Sequence, residues 1–244
     1  MNIIIPMAGR GTRTNDYSAI PKPLILLHKK PMIYWAIKTL DINGQYIFIT
    51  RHYENKKWNE TLENILYECT KNPIIISIDY ITEGPACSVL LAKQYVNNDE
   101  DLLVANSDQI LKWDSSKFID AISKDDFDGL VTTWDKIALT ESFIELNENG
   151  YGIRLKEKEI ISNHPLNGIH YWKRGRYFVE SVEEMIRQNR RSNNNEFYIS
   201  ESYNILIEHG YKIKTFKMGK GEHIPVGITS DIEKILKKHK LWIY

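Results

Sequence analysis

The sequence predicts an α/β protein with a mainly parallel sheet that is covered by helices on both faces. Short apolar runs of strand length alternate with longer amphipathic stretches of helical spacing through residues 1–127. Several of these runs are apolar throughout, which is typical of strands buried on both faces. In such folds ligands bind at the carboxyl ends of the strands, so the segments that follow strands are the most informative.

The first half of the chain predicts alternating strands and helices. A proline opens the first predicted helix and Gly84-Pro85 opens the third, and proline suits the first helical turn. Ser115 is predicted to cap the fourth helix. The predicted strands are residues 3–7, 46–50, 74–80 and 102–105, and the predicted helices are 31–40, 56–67, 85–96 and 115–122.

The second half has shorter strands and polar turns, which predict some antiparallel pairing. There is neither an internal repeat nor a long linker, so we expect one domain over residues 1–244, whose pattern changes at about residue 128. Gly210 is predicted to end a helix. The predicted strands are 130–134, 143–146, 153–156, 168–172, 213–218 and 224–227, and the predicted helices are 177–190, 199–208 and 230–239.

The amino-acid composition argues against some classes of function. The 244 residues carry 32 Lys and Arg against 32 Asp and Glu, so the basic excess of a nucleic-acid binder is missing and any anion site must be local. No apolar run reaches membrane-spanning length, and the first residues lack the charged region of a signal peptide, so we expect a cytoplasmic protein without a membrane partner. The sequence contains two cysteines, which favours a reducing compartment, and it leaves open whether copies of the chain form a homo-oligomer.

A glycine-rich segment follows the first predicted strand. Gly9 and Gly11 let backbone N–H groups approach an anion, and Arg10 and Arg13 add positive charge. The spacing does not fit a P-loop, and Thr14 stands where a dinucleotide-binding loop has its third glycine. Two glycines alone fit an ordinary turn equally well.

The following residues favour the anion-binding interpretation. The segments Gly-Arg-Gly-Thr-Arg (9–13), Pro-Lys-Pro-Leu (21–24) and Lys-Pro-Met-Ile (30–33) together resemble the amino-terminal signature of the sugar-phosphate nucleotidylyltransferases, also called nucleoside-diphosphate-sugar pyrophosphorylases. Weaker similarity extends to about residue 230. It includes the segments at 82–86, 103–108, 154–158, 167–172, 196–199 and 224–229, with Glu159 where the family has proline.

The resemblance implies a Rossmann-like, three-layer α/β/α nucleotide-diphospho-sugar transferase fold and an enzyme that makes an activated sugar or alditol for surface glycan assembly. Its partners would be a nucleoside triphosphate and a phosphorylated sugar or alditol, and its cofactor would be Mg²⁺ held by Asp108. Residues 1–127 would form the nucleotide-binding half of the domain, and residues 128–244 would form the acceptor-binding half. Arg13 and Lys22 would be catalytic. The implied nucleotide-binding residues are Ala8, Gly9, Arg10, Gly11, Thr12, Arg13, Lys22, Glu83, Gly84, Asn106 and Ser107, and the implied substrate-binding residues are Glu157, Lys158, Asn167 and Gly168.

One position departs from the family. Members that use thymidine or uridine nucleotides commonly carry a second metal-binding carboxylate two positions before a Gly-Thr, and here Pro225 precedes Gly227-Ile228. Glu222, Glu201 or Asp231 could take its place, or phosphates and water could complete the metal shell.

Two other functions stay open at this stage. A glycosyltransferase of the same fold would be expected to carry an Asp-x-Asp pair, but Asn106 occupies the first of those positions. The other alternative is a relative that binds nucleotides without catalysing a reaction.

Overall fold

The computed structural model describes residues 1–14, 19–124 and 126–237, and a seven-stranded sheet lies at its centre. Apolar runs form the inner strands, and Ile3, Ile4 and Ile5 are fully buried. Burying one such side chain contributes about 1.5–3 kcal/mol. In spatial order the strands are β12 (Ile213–Lys217), β8 (Gly129–Thr133), β11 (Leu166–Trp172), β6 (Leu102–Ala105), β1 (Asn2–Pro6), β4 (Gln45–Arg51) and β5 (Ile74–Ile78).

Most neighbouring strands of this sheet run parallel. The exception is β11, which is antiparallel to both β6 and β8. Because β11 reverses direction between them, β6 and β8 point the same way, and the carboxyl ends of β1, β6 and β8 meet at one edge. The predicted fold class, an α/β protein with a mixed and mainly parallel sheet, is confirmed.

Helices cover both faces because successive strand residues point to opposite sides. In β1, Ile3 and Ile5 belong to one hydrophobic core and Ile4 to the other. The first core is covered by α1 (Met32–Leu40), α2 (Lys56–Cys69), α5 (Ser115–Ile122) and α8 (Thr229–Leu236), and the second by α3 (Pro85–Leu90), α4 (Lys93–Val96), α6 (Gly175–Arg187) and α7 (Ile199–Glu208).

Three small antiparallel pairs extend the fold beside the main sheet. They are β2 (Leu26–Leu27) with β3 (Lys30–Pro31), β7 (Gln109–Leu111) with β13 (His223–Pro225), and β9 (Ser142–Leu146) with β10 (Gly152–Glu157). The β10 strand is tied to α7, because the Asn204 amide accepts from Leu155 N (2.8 Å) and donates to Leu155 O (2.9 Å). This tie brings the end of β10 to the start of α7.

Two local predictions were wrong in detail. The helix predicted at 85–96 is two helices, since the N–H groups of Leu91 and Ala92 bond to carbonyls three residues back (3.2 and 3.0 Å) and tighten the turn between them. The cap of α5 is Asp114, whose carboxylate accepts from Ser116 N (3.2 Å), so Ser115 is the first helical residue. Gly210 ends α7 as predicted, with φ of +83°.

Within the described ranges, no helix combines the length and the apolar character needed to cross a lipid bilayer. Cys69 and Cys87 are both free thiols. Burial raises the pKa of Cys69 to about 11, so this thiol is protonated at neutral pH.

Candidate active site

A lysine–aspartate pair lies at the edge of the sheet where β1, β6 and β8 end. Lys22 Nζ is 2.5 Å from Asp108 Oδ2, and the two side chains are only 14% and 19% exposed. Lys22 begins a short 3₁₀ turn, with Pro21 before it and Pro23 after it, and prolines fix the backbone of this turn. The chain therefore holds the ammonium group of Lys22 on a stiff segment against the aspartate that follows β6.

The charge of Asp108 is stabilised by its neighbours. Burial would raise the pKa of Asp108, but the Lys22 ammonium, with help from the Arg13 guanidinium, outweighs burial and holds that pKa below its ordinary value. The carboxylate is therefore ionised at neutral pH. Arg13 is exposed, and its charge also lies near Glu141. The two predicted catalytic cations thus share one electrostatic neighbourhood with the predicted metal ligand.

The glycine-rich segment forms a turn beside Lys22. Gly11 has φ of +66°, and a Cβ there would lie 3.3 Å from the Cβ of Lys22, so this position favours glycine. Thr14 closes the turn, since its N–H and its Oγ1 both donate to Gly11 O (3.1 and 2.9 Å). Ala8 is buried, Gly11 is half-buried, and Gly9, Arg10, Thr12 and Arg13 are exposed.

The end of β13 packs directly on Asp108. Val226 N donates to Asp108 O (2.9 Å), and a Cβ on Gly227 would lie 2.9 Å from Oδ2 of the same residue. Pro225 pairs with Gln109, the residue after Asp108. The position that would supply a second metal-binding carboxylate therefore lies beside Asp108, and its proline has no carboxylate to offer.

The three carboxylates that could substitute have other partners. Among the described residues, no cluster of three metal-ligating side chains occurs. Mg²⁺ in phosphate-handling sites is commonly held by one or two carboxylates together with substrate phosphates and water, so the single ionised Asp108 fits an ion that arrives with a triphosphate. Glu222 accepts from Gly219 N (2.6 Å), Glu201 accepts from Glu157 N (3.2 Å), and Asp231 lies 3.8 Å from Lys234 Nζ.

The predicted base-binding loop lies between β5 and α3 and packs on the segment before α7. Gly84 has φ of +145°, and a Cβ there would overlap the backbone of Phe197. Phe197 N donates to Glu83 O (2.9 Å), and Ala86 N donates to Phe197 O (3.0 Å). The Glu83 carboxylate forms an ion pair with Arg191.

A second polar cluster surrounds the end of β10. Glu157 is only 6% exposed, its carboxylate accepts from the Ser142 hydroxyl, and Ser200 Oγ lies 3.4 Å from it. Burial raises the pKa of Glu157, and the two serine hydroxyls and the nearby Lys158 ammonium offset only part of that effect. This carboxylate thus contrasts with Asp108, whose pKa is lowered.

Lys158 follows Glu157 in a left-handed backbone conformation, with φ of +55°. Its ammonium group donates to Tyr198 Oη (2.8 Å) and lies 4.9 Å from the centre of the Tyr198 ring. Nζ of Lys158 is also 4.0 Å from the Glu157 carboxylate. The two residues predicted to bind the acceptor are therefore adjacent in space, although one is buried and the other is exposed.

The remaining predicted residues lie between these clusters, where β6 and β11 meet. Asn106 N donates to Gly168 O (3.1 Å), and a Cβ on Gly168 would overlap the Asn106 side chain. Asn106 is exposed and Ser107 is half-buried. The Asn167 side chain is buried, where its amide oxygen accepts from the Thr132 hydroxyl and its amide nitrogen contacts Met218 Sδ (2.8 Å). Asn167 thus faces the protein interior.

Several residues of this region were missed by sequence reasoning. His223 lies beside Asp108, its Nε2 is 3.1 Å from Gln109 Oε1, and burial lowers its pKa to about 4, so the ring is neutral at physiological pH. Trp134 packs edge-on against this ring at 4.4 Å between centroids. No spacing pattern marks these residues or the serines at 142 and 200, because distant parts of the chain bring them together.

The chain matches a known protein family. A family model described as nucleotidyl transferase matches residues 2–234, so the chain belongs to the nucleotidyl transferase family. The family prediction is confirmed.

The chain is 24% identical to the bifunctional protein GlmU of Thermodesulfovibrio yellowstonii, over 96% of this chain and 50% of that protein. It is 27% identical to GlmU of Methanococcus maripaludis, over 86% of this chain and 48% of that protein. It thus spans about half the length of the curated relatives it matches.

Solved structures share the fold. A nucleoside-diphosphate-sugar pyrophosphorylase from Vibrio cholerae RC9 superposes with a TM-score of 0.80 at 22% identity, over 97% of this chain and 100% of that one. The inositol-1-phosphate CTP transferase from T. maritima superposes with a TM-score of 0.71 at 16% identity, over 98% and 97%. At these identities the matches show the fold alone.

Proposed function

We propose that this chain is a nucleotidylyltransferase that joins a nucleoside triphosphate to a phosphorylated sugar or alditol and releases pyrophosphate. An oxygen of the acceptor phosphate attacks the α-phosphorus of the triphosphate. The bond from the α-phosphorus to the bridging oxygen of the β-phosphate breaks, and pyrophosphate leaves with that electron pair. The observation that carries this proposal is the Lys22–Asp108 pair beside the glycine turn, together with the Glu157–Lys158 cluster at the end of β10.

The nucleophile needs no general base. A phosphate monoester has a second pKa near 6, so the acceptor is already mostly a dianion at neutral pH. The remaining barrier is to bring two polyanions into line, and positioned positive charge lowers it. Lys22 and Arg13 supply that charge near Asp108, and the Gly9–Gly11 turn offers backbone N–H groups to the triphosphate. Asp108 would hold Mg²⁺, which neutralises phosphate charge when bound.

The acceptor side is suited to a polyhydroxylated phosphate ester. The Lys158 ammonium group is exposed enough to meet a phosphate, and the Glu157 carboxylate can accept from hydroxyl groups. The names of the structural relatives, a nucleoside-diphosphate-sugar pyrophosphorylase and an inositol-1-phosphate CTP transferase, support a sugar or alditol acceptor. The product would be an activated donor for surface glycan assembly. The reaction would take place in the cytoplasm, where nucleoside triphosphates are available.

The first test is pyrophosphate release. Thermal shifts with each common nucleoside triphosphate and Mg²⁺ select the nucleotide, because a ligand at 100 times its Kd stabilises by about 2.7 kcal/mol. That nucleotide is then mixed with a panel of sugar and alditol phosphates that includes inositol-1-phosphate. Release that requires both substrates supports the proposal. Hydrolysis of a nucleotide-sugar without pyrophosphate chemistry would favour a glycosyltransferase, and binding without turnover of any pair would favour a non-catalytic relative.

A further inference from the structure

A short stretch of chain before α7 contacts both the predicted base-binding loop and Lys158. This stretch is residues 191–198, called here the bridging segment. We propose that Arg191 and Tyr198 are positioning residues, which act through the bridging segment to place Lys158 relative to the nucleotide loop. That the loop binds a nucleotide and that Lys158 binds an acceptor both rest on the proposed function. The mechanical link between the loop and Lys158 does not.

On the nucleotide side, the bridging segment is held by backbone contacts. Phe197 exchanges two hydrogen bonds with the loop, one to Glu83 O (2.9 Å) and one from Ala86 N (3.0 Å). Gly84 lets the two backbones approach, because a Cβ at that position would overlap Phe197. A displacement of this loop by a nucleotide would therefore displace Phe197 as well.

Arg191 adds a side-chain clamp to these backbone contacts. Its guanidinium group forms an ion pair with the Glu83 carboxylate, lies 4.1 Å from the centre of the Phe197 ring, and donates to Asn195 O (3.0 Å). The Arg191 side chain is 22% exposed, whereas that of Glu83 is 68% exposed. The Glu83 side chain is thus engaged with the bridging segment, and its carboxylate anchors that segment to the loop.

On the acceptor side, Tyr198 fixes the ammonium group of Lys158. The phenol oxygen accepts from Lys158 Nζ (2.8 Å) and from Asn194 Nδ2 (3.0 Å). Lys158 also lies over the Tyr198 ring, at 4.9 Å from its centre. A phenylalanine at 198 would keep the ring contact and remove the hydrogen bond, so it isolates the contribution of the hydroxyl group.

The link can be measured without any substrate, by the rate at which an amine-acetylating reagent modifies Lys158 in the full chain. Peptide mass spectrometry gives this rate relative to Lys156, which lies two residues earlier on β10. Tyr198→Phe and Arg191→Ala should each raise the relative rate about three- to tenfold, the factor expected from losing one partly exposed charged hydrogen bond. Arg190→Ala is the matched control, because Arg190 pairs with Glu208 and does not contact the nucleotide loop.

Equal labelling of Lys158 in Arg191→Ala and Arg190→Ala would overturn the link, as would an unchanged rate in Tyr198→Phe. Glu83→Gln breaks the same ion pair from its exposed side, so it gives the answer if Arg191→Ala does not fold.

Once the acceptor has been identified, kinetics give a second test. Tyr198→Phe should raise the acceptor KM and leave kcat and the triphosphate KM near wild type. The double variant with Arg191→Ala should lose less than the product of the single effects, because both act on one group. Unchanged acceptor KM in Tyr198→Phe would contradict a positioning role. A chain without any turnover would refute the proposed function while leaving the labelling result valid.

Discussion

Asp108 and Glu157 are two carboxylates of the candidate site, and their environments are opposite. Asp108 contacts the Lys22 ammonium at 2.5 Å, and its pKa lies below the ordinary value. Glu157 is surrounded by β9, β10 and α7, its closest partners are hydroxyl groups, and its pKa lies above the ordinary value. We call the surroundings of Asp108 the charged region, because ionic contacts dominate there. We call the surroundings of Glu157 the packed region, because burial dominates there.

The difference indicates what each region can do. A carboxylate that is ionised at neutral pH and lies beside two cations suits Mg²⁺ and charged phosphates. A buried carboxylate that accepts hydrogen bonds from hydroxyl groups suits the selection of a hydroxylated molecule. Acidification should therefore act on the two in opposite senses. Lowering the pH removes stability contributed by ionised Asp108. At Glu157, whose pKa is raised by burial, protonation relieves the cost of burying the charge, so the contribution of this group to folding stability increases as the pH falls.

The largest effect is expected at the charged region. Asp108→Asn keeps an oxygen near Lys22 but removes the charge that would hold Mg²⁺, so turnover should fall by about 10³-fold. The fold should persist, although the thermal midpoint should fall, because the substitution removes the charge that pairs with the largely buried Lys22 ammonium group. The check is pyrophosphate release at saturating triphosphate, and turnover near the wild-type rate would remove Asp108 from the site.

Removing the positive charge of Lys22 or Arg13 should cause the next largest loss of turnover. Lys22→Ala and Arg13→Ala should each lower kcat about 10²–10³-fold, because each removes one preorganised charge. Lys22→Arg should rescue only in part, since a planar fork replaces a point charge. Lys57→Ala, on the exposed face of α2, is the control. An alanine variant that retained most of its kcat would turn that residue into a surface cation.

The buried side chain of His170 tests how well the second half of the chain excludes water. Burial lowers the pKa of His170 to about 3 from 6.5, and its ring stacks near Trp172 and Tyr203. Its neutral form therefore contributes stability that is complete above pH 6.5 and is lost as the pH falls toward 3. Between pH 6.5 and 5 this loss is about 2 kcal/mol.

The measurement is the unfolding free energy from urea titrations at several pH values, for wild type and His170→Phe. The variant should show a shallower decline, although His223 keeps its own contribution because its pKa is also lowered, to about 4. Identical slopes for the two proteins would show that His170 is hydrated.

The smallest effect concerns Glu157. Its raised pKa means that it protonates at a higher pH than an ordinary carboxyl of pKa 4.5, so its acceptance of hydrogen bonds weakens as the pH falls toward that value. Because the acceptor phosphate titrates near pH 6, the informative quantity is the ratio of acceptor KM in Glu157→Gln to that in wild type. This ratio should shrink about three- to tenfold as the pH is lowered. A ratio that does not change with pH would show that the charge of Glu157 is not used.

Much of the fold could be predicted because its strands and helices carry local signals. The run at 102–105 and the helix at 199–208 match β6 and α7 at both ends. The short strand Gln109–Leu111 was not predicted, because three residues carry no periodicity and its pairing with His223–Pro225 spans more than a hundred positions. The split between α3 and α4 depends on hydrogen bonds within one turn, which the apolar spacing does not reveal.

Some residues of the candidate site likewise carry a local signal in the sequence, and others do not. Lys22 and Asp108 stand in continuous segments next to strands, so their types and spacing were informative. Ser142, Ser200 and Tyr198 reach Glu157 and Lys158 only through packing, and a lone serine or tyrosine in a sequence has many other uses. The prediction for Asn167 did not anticipate that its amide would be engaged by Thr132 and Met218 in the interior.

We expect the charged region to serve the triphosphate and the packed region to serve the acceptor. Lys158→Ala tests it most directly, with triphosphate affinity measured by calorimetry and acceptor KM measured by kinetics on the same preparation. We expect a triphosphate Kd within about twofold of wild type, because the Lys158 ammonium group contacts Tyr198 and Glu157 rather than Lys22 or Asp108, together with an acceptor KM raised by about tenfold or more. A weakened triphosphate affinity with an unchanged acceptor KM would contradict this division and assign Lys158 to the triphosphate.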